Sequence, residues 1–342
     1  MAKRQLLQKI GYGKETMSMA AGYLVSEKLD GIRVFWDGGV TRGQPKADVP
    51  WANTEKDDRF VKKQVSTGLW TKDGHPVYAP DYWLDALPKV FVEGELYLGR
   101  GLFEKLVGIA RKQTPVGHEW QGVKLVAFDA PHVLEMLGPG KVSYRNYNTM
   151  FDGNAVDLIF GEVACIAEHL DFEERAKWLA DRWPTCVDQR LLFSTGLMRQ
   201  FFKEVTDSGG EGIVLKARSN FWTPHLAKNA FKIVPIHTSE GILKGFKTGK
   251  VGKEGRTLGK IGSLILDWGG KRLDVSGMDA PLREFETGAM ETWAEEHPGV
   301  DAPSDFSGDF FDVGMRVQFE YKELSAYGVP KNARYKRIRH ED

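Results

Sequence analysis

The sequence predicts an α+β chain in two domains: antiparallel sheets with helices over residues 1–235, and a small β-barrel over 236–342. Three observations lead there. Segments with strand composition and a period of two are separated by Asp-Gly and Gly-Gly turns in the first two-thirds of the chain. Helical spacing is concentrated between Val142 and Asp207. Beyond Pro235 the composition shifts to Gly, Lys and short strands. A chain of 342 residues also exceeds the size at which one hydrophobic core usually divides.

Composition narrows the class. At 42% hydrophobic and 11% aromatic, the chain has ample material for packed cores and is not of the disordered type. Its two cysteines, Cys165 and Cys186, cannot build a disulfide framework or a four-ligand zinc site, and read as buried small hydrophobes of a reducing compartment. Met1 to Ile10 is basic without the apolar core of a signal peptide, and no apolar run approaches a membrane span. A soluble cytoplasmic protein without a membrane partner is expected.

Net charge is zero, with 47 basic and 47 acidic residues, but the charges are segregated. From Gly241 to Val275, eight basic residues stand against three acidic; from Ser276 to Asp312, ten acidic stand against Arg283 alone. The end from Tyr321 to His340 carries six basic residues against Glu323. Such a distribution fits one face that meets phosphates and another that is solvated, or simply a soluble surface.

The first strand-like run, Tyr23-Leu24-Val25, leads into Ser26-Glu27-Lys28-Leu29-Asp30-Gly31-Ile32-Arg33, and Arg33-Val34-Phe35-Trp36 resumes a strand before Asp37-Gly38-Gly39 turns it. Lys28 therefore sits at a strand end before a tight turn, either as a surface lysine or as a nucleophile. A nucleophilic lysine needs burial or neighbouring cations to lose its proton. Val40-Thr41-Arg42-Gly43 reads as a short strand, and Gln44 to Pro88 as loops with one short helix. Val90 to Leu98 is a clear strand that puts Glu93 and Glu95 on one face, suited to Mg²⁺, to ribose hydroxyls or to solvent. Val123 to Asp129 is a buried-type strand, and Phe128 reads as a core residue. Helices are expected from Asp171 to before Pro184 and from Ser194 or Thr195 through Val205, stopped by Gly209-Gly210. The strand Glu211-Gly212-Ile213-Val214-Leu215-Lys216 follows. Ideal alternation would send Glu211 and Lys216 to opposite faces. Phe231-Lys232-Ile233-Val234 is the last strand of the first domain. Four further strand segments, the last at Met315–Tyr321, make up the barrel. No Gly-x4-Gly-Lys-Ser/Thr sequence occurs, which excludes a P-loop.

Lys28-Leu29-Asp30-Gly31-Ile32-Arg33 resembles the first motif of the ATP-dependent DNA ligases, of the covalent nucleotidyltransferase superfamily. The other motifs resemble theirs in order: Arg42, Gly94-Glu95-Leu96, Phe128-Asp129, Glu211-Gly212 to Lys216, Phe231-Lys232 and, at the end, Arg339. The chain is similar to the short bacteriophage-type enzymes. The resemblance implies an ATP-grasp-like nucleotidyltransferase domain followed by an OB-fold barrel. It makes Lys28 the adenylated nucleophile and Ser26, Glu27, Leu29, Arg33, Arg42, Glu95, Phe128, Lys216, Lys228 and Lys232 nucleotide-binding. Glu95 and Glu211 become the ligands of Mg²⁺ (or Mn²⁺), and Arg339 orients pyrophosphate. Arg42 with Lys247, Lys250 and Lys253 would contact DNA, the partner being a nicked duplex and the protein a monomer that serves repair, replication or recombination, including in a phage-infected cell. Two positions depart from the pattern: Val234 replaces a second lysine, and the lysine that closes the final motif is missing. RNA ligases and capping nucleotidyltransferases share the lysine motif, a non-catalytic OB-type binding protein would leave Lys28, Glu95, Glu211 and Lys232 without a purpose, and an NAD-dependent ligase would bring a four-cysteine zinc module.

Overall fold

A computed structural model describes residues 7–49, 51–53, 64–132, 170–223, 226–248, 261–284, 286–288, 310–325 and 327–339. The chain divides into two compact units, Met1–Val234 and Pro235–Asp342.

The first unit holds strands β1 (Lys9–Tyr12), β2 (Tyr23–Glu27), β3 (Ile32–Asp37), β4 (Leu69–Thr71), β5 (Phe91–Tyr97), β6 (Lys124–Asp129), β7 (Arg190–Leu192), β8 (Ile213–Ala217) and β9 (Leu226–Ile233). Its helices are α1 (Asp81–Asp85), α2 (Phe103–Ala110), α3 (Phe172–Ala180) and α4 (Thr195–Asp207). One sheet runs β1-β9-β8-β2-β7, antiparallel except for the β1–β9 pair; the other, β4-β3-β5-β6, is antiparallel throughout.

Each sheet has its own apolar core. Val25, Ile213, Leu215 and Ile233 of the first sheet pack with Met198, Phe201, Phe202 and Val205 of α4. Those α4 positions follow the i, i+3, i+4, i+7 spacing that puts one stripe against a sheet. The second sheet buries Val34, Val92, Leu96 and Leu125 with Leu106 and Ile109 of α2 and Leu179 of α3. Each such side chain contributes roughly 1.5–3 kcal/mol by leaving water. Helix α3 starts on a capping box: Asp171 accepts from the Glu174 N–H and the Glu174 carboxylate accepts from the Asp171 N–H.

Two local expectations need correction. Val40 to Gly43 is a turn, not a strand. The Asp37 carboxylate accepts from the Gly39 N–H (2.9 Å) and the Thr41 hydroxyl (2.6 Å), and this local bonding overrides the extended preference of Val40 and Thr41. Strands β4 and β7 were not anticipated, because three residues are too few for a periodicity. The expected helical region before residue 170 lies outside the described residues.

The second unit holds β10 (His237–Thr248), β11 (Ile261–Trp268), β12 (Lys271–Val275), β13 (Arg316–Tyr321), β14 (Glu323–Leu324), β15 (Pro330–Lys331) and β16 (Arg334–Arg339). Its main sheet runs β12-β11-β10-β13-β16, all antiparallel. The two edge strands meet. Ser276, just past β12, forms a parallel bridge with Arg334, donating to Ala333 O at 3.0 Å and accepting from Tyr335 N at 2.6 Å. Around this curled sheet Leu243, Leu264, Leu266, Phe311, Val317 and Phe319 form the core.

Candidate active site

Lys28 follows directly on β2 and is fixed by the neighbouring strand. The β2–β8 ladder runs to Glu27 opposite Ile213, and the Lys28 N–H continues it by donating to Gly212 O at 2.8 Å. This register brings Glu211 beside the lysine, where Nζ and Glu211 Oε1 form an ion pair. The face conflict expected for Glu211 and Lys216 is resolved by Gly212, whose φ of +145° interrupts the alternation. A Cβ there would lie 2.2 Å from Ile233 O. The turn after the lysine is as tightly placed, because a Cβ on Gly31 would stand 2.2 Å from Leu96 O of β5.

The carboxylates of β5 divide their tasks. Glu93 is fully buried, and Oε1 accepts both Nε (2.6 Å) and Nη2 of Arg33, whose Nη1 donates to Gln8 O at 2.7 Å. Glu93 Oε2 is buried and accepts no hydrogen bond. The sequence put Glu93 and Glu95 together on a polar face, but β5 is an inner strand and the two differ in exposure. Glu95 is half-buried and lines the cavity. Burial pushes its carboxyl up to about 8 against the pull of Arg33 and Lys28, with Glu211 and Glu93 adding to the rise.

A cavity of about 990 Å³ opens between the elements of the first unit. Ser26, Glu27, Lys28, Leu29, Arg33, Glu95, Phe128, Lys216 and Lys232, all singled out in the sequence, line it together. Its ionisable lining comprises seven basic side chains (Lys9, Lys28, Arg33, Lys72, Arg111, Lys216, Lys232) and three acidic ones (Glu27, Asp73, Glu95), besides His75. The Phe128 ring lies 5.6 Å from the Arg33 guanidinium and 5.6 Å from Lys216 Nζ, so its surroundings are cationic. Lys232 Nζ sits 4.3 Å from the centre of the Tyr12 ring. A wall that combines an aromatic face, apolar side chains and excess positive charge suits a planar ring carrying phosphates.

Lys216 is held from behind. Asp129 is fully buried and takes Lys216 Nζ at 2.7 Å, Arg175 Nε at 2.7 Å, Arg175 Nη2 at 3.2 Å and the Ala130 N–H at 2.9 Å. Burial opposes its charge, but Arg175 and Lys216 together hold the Asp129 carboxyl well below the usual carboxylate range. The sequence reading missed Asp129 and Arg175. The available signal was Asp129 itself, an acid closing a buried-type strand.

Other expected site residues lie elsewhere. Arg42 is outside the cavity lining, with its guanidinium on Asp81 (2.6 Å) and Asp85, because the turn at Val40–Gly43 carries it towards α1. Lys228 is exposed on β9 and does not line the cavity. In the second unit Lys247 pairs with Asp274 at 2.8 Å and Arg339 with Glu240 at 3.0 Å. Lys250 and Lys253 lie outside the described residues. Arg100 was also missed, although Gly99-Arg100-Gly101 straight after a strand marks an arginine on a tight turn.

A divalent cation can be tested against these residues. No group of three or more His, Cys, Asp or Glu side chains suited to a metal occurs among the described residues. Mg²⁺ does not require one, since it is commonly held by one or two carboxylates plus substrate phosphates. Glu95 and Glu211 fit that set, Glu95 lining the cavity and Glu211 standing close enough to raise its carboxyl.

No family model matches the chain. A DNA ligase of Haemophilus influenzae is 24% identical over 220 residues, covering 64% of this chain and 59% of that protein, so the chain spans less than two-thirds of that relative's length. Among solved structures, one from a structure-function analysis of Lig E DNA ligases superposes with a TM-score of 0.61 at 23% identity, over 97% of this chain and 98% of the other. Another, Pmar-Lig_Pre, gives 0.58 at 12% identity over 98% of this chain and 68% of its own. The fold of the chain is thus similar to that of these DNA ligase structures.

Proposed function

We propose that the protein is an ATP-dependent DNA ligase that seals nicks in duplex DNA. The observation that carries this reading is the convergence of Lys28 with Arg33, Lys216, Lys232 and the Phe128 ring on one cavity. Lys28 Nζ attacks the α-phosphorus of ATP, forming a phosphoramide bond as the bond to pyrophosphate breaks. The neutral amine is required, so Nζ must leave its pairing with Glu211 and lose a proton. Phe128 offers its face to the adenine, while Lys216 and Lys232 stabilise charge at the α-phosphate. Glu95 and Glu211 would hold Mg²⁺, which would supply neutralisation of phosphate charge. AMP then passes to the 5′-phosphate of the nick, and the 3′-hydroxyl displaces it to close the strand. The basic segment around Lys247, Lys250 and Lys253 adds charge that meets the duplex phosphates. This reading describes a cytoplasmic monomer, and no helix among the described residues is long and apolar enough to cross a membrane. The test is sealing of a nicked duplex in the presence of ATP and Mg²⁺: a product strand of full length is expected, and sealing only of nicked RNA would overturn the DNA assignment.

A further inference from the structure

Arg100 lies outside every motif that marks the site, yet it joins three of the segments that build it. It occupies the turn after β5, where Leu102 N–H donates to Gly99 O at 3.2 Å and Gly99 and Gly101 take φ of +136° and +70°. Only glycine adopts such angles readily, so the backbone is committed to presenting this side chain. Its Nε and Nη2 meet Glu27 Oε1 and Oε2 at 2.9 and 2.8 Å, a two-pronged contact. Nη1 donates to Ser208 O at 2.7 Å, at the carboxyl end of α4 where a cation is favoured.

Both partners adjoin the reacting lysine. Glu27 precedes Lys28 and ends β2, whereas Ser208 begins the segment Ser208–Gly212 that delivers Glu211 to Lys28 Nζ. The Glu27 carboxylate also lies against that segment: a Cβ on Gly210 would come 3.0 Å from Glu27 Oε1. The strand carrying Glu95, the strand end carrying Lys28 and the segment carrying Glu211 are thereby pinned through one guanidinium. We infer that Arg100 is a positioning residue for the nucleophile, holding Lys28 and Glu211 in register with Glu95 through Glu27 and Ser208; this rests on the reading of Lys28 as the residue that takes AMP.

Arg100 is about one-third exposed, and exposed ion pairs contribute little to stability. Its loss is therefore felt in geometry more than in folding, and misplacement of a reacting group by about 1 Å costs on the order of 100-fold in rate. Lysine is no substitute, since a point charge cannot span both carboxylate oxygens and the Ser208 carbonyl.

The experiment measures single-turnover formation of the Lys28 adenylate over a range of ATP concentrations, together with melting temperature, for wild type, R100A, R100K, E27Q and R100A/E27Q in the full chain. R100A and E27Q are expected to slow the step roughly 10- to 100-fold, with the half-saturating ATP concentration and the melting temperature little changed. R100K should stay slow, and the double variant should be no slower than the slower single. Glu27 itself lines the cavity, so should R100A fold poorly the decision rests on R100K, which keeps the charge but not the two-pronged contact. A wild-type protein that takes no label from ATP refutes the reading of the site itself. A labelled wild type with R100A and E27Q within twofold of its rate overturns the role of Arg100, as does a raised ATP requirement at unchanged rate, or losses that multiply in the double variant.

Discussion

Replacing Asp129 by asparagine removes the one anion shared by two buried cations. Asp129 has no exposed surface, and the Lys216 and Arg175 side chains are 4% and 1% exposed. Both cations stand 2.7 Å from a carboxylate oxygen. A charge pair about 4 Å apart is worth roughly 4 kcal/mol at an effective dielectric near 20. Losing both pairs, less the desolvation of the carboxylate no longer required, gives about 3–5 kcal/mol of destabilisation, as for other broken buried pairs. Urea unfolding followed by tryptophan fluorescence is the assay. Eight of the 10 tryptophans belong to the first unit, so the signal reports the unit that contains Asp129. The midpoint should fall by roughly 2 M, taking a slope of about 2 kcal/mol per molar urea. Since the folded carboxyl lies below its ordinary range, its contribution is complete above about pH 4 and disappears as pH drops further. The wild type should lose stability in that acid range more steeply than the variant. A midpoint within 0.3 M or so of wild type, with the same acid limb, would refute the account of this cluster.

Other outcomes follow from the site and from the sequence. Glu95 carries a carboxyl raised from 4.5 to about 8, so in ligand-free protein its contribution is complete below pH 4.5 and is lost as pH rises through 8; E95Q should flatten urea midpoints measured from pH 5 to 9, and an unchanged slope would contradict the raised value. R42A should form the lysyl adenylate at nearly the wild-type rate but use a nick 5′-phosphate poorly, because Arg42 is outside the cavity and its guanidinium, once released from Asp81 and Asp85, suits a bidentate phosphate contact; equal loss of both steps in rapid-quench assays would count against this. Neutralising Lys247, Lys250 and Lys253 together should flatten the salt dependence of binding to a nicked duplex by roughly one unit of slope for each phosphate left without its lysine; a slope that does not move assigns the segment to solvated surface.

The sequence made the long elements legible and left the short-range geometry hidden. Period-two alternation located β5 and β6, and the apolar stripe of Met198, Phe201, Phe202 and Val205 located α4, because those patterns repeat often enough to stand above composition. Lys28 could be placed at a strand end because Asp30-Gly31 marks the turn that follows. The Glu211–Lys28 pairing could not be read, since it depends on one glycine, Gly212, breaking the alternation. Arg42 was misplaced for a similar reason: the Asp37 side chain bonds the local backbone and folds a β-prone stretch into a turn. Asp129 and Arg175 are 46 positions apart, and their pairing is set by the packing of β6 against α3 rather than by any local signal.

The most direct test of the central claim is to incubate the wild-type protein and K28A with α-labelled ATP and Mg²⁺, denature both, and locate any bound label by electrophoresis and peptide mass analysis. The account predicts AMP on Lys28 of the wild type, in a bond that survives denaturation and is broken by acid, and none on the variant. Label on K28A, AMP mapped to another lysine, or efficient labelling by GTP instead of ATP would contradict it.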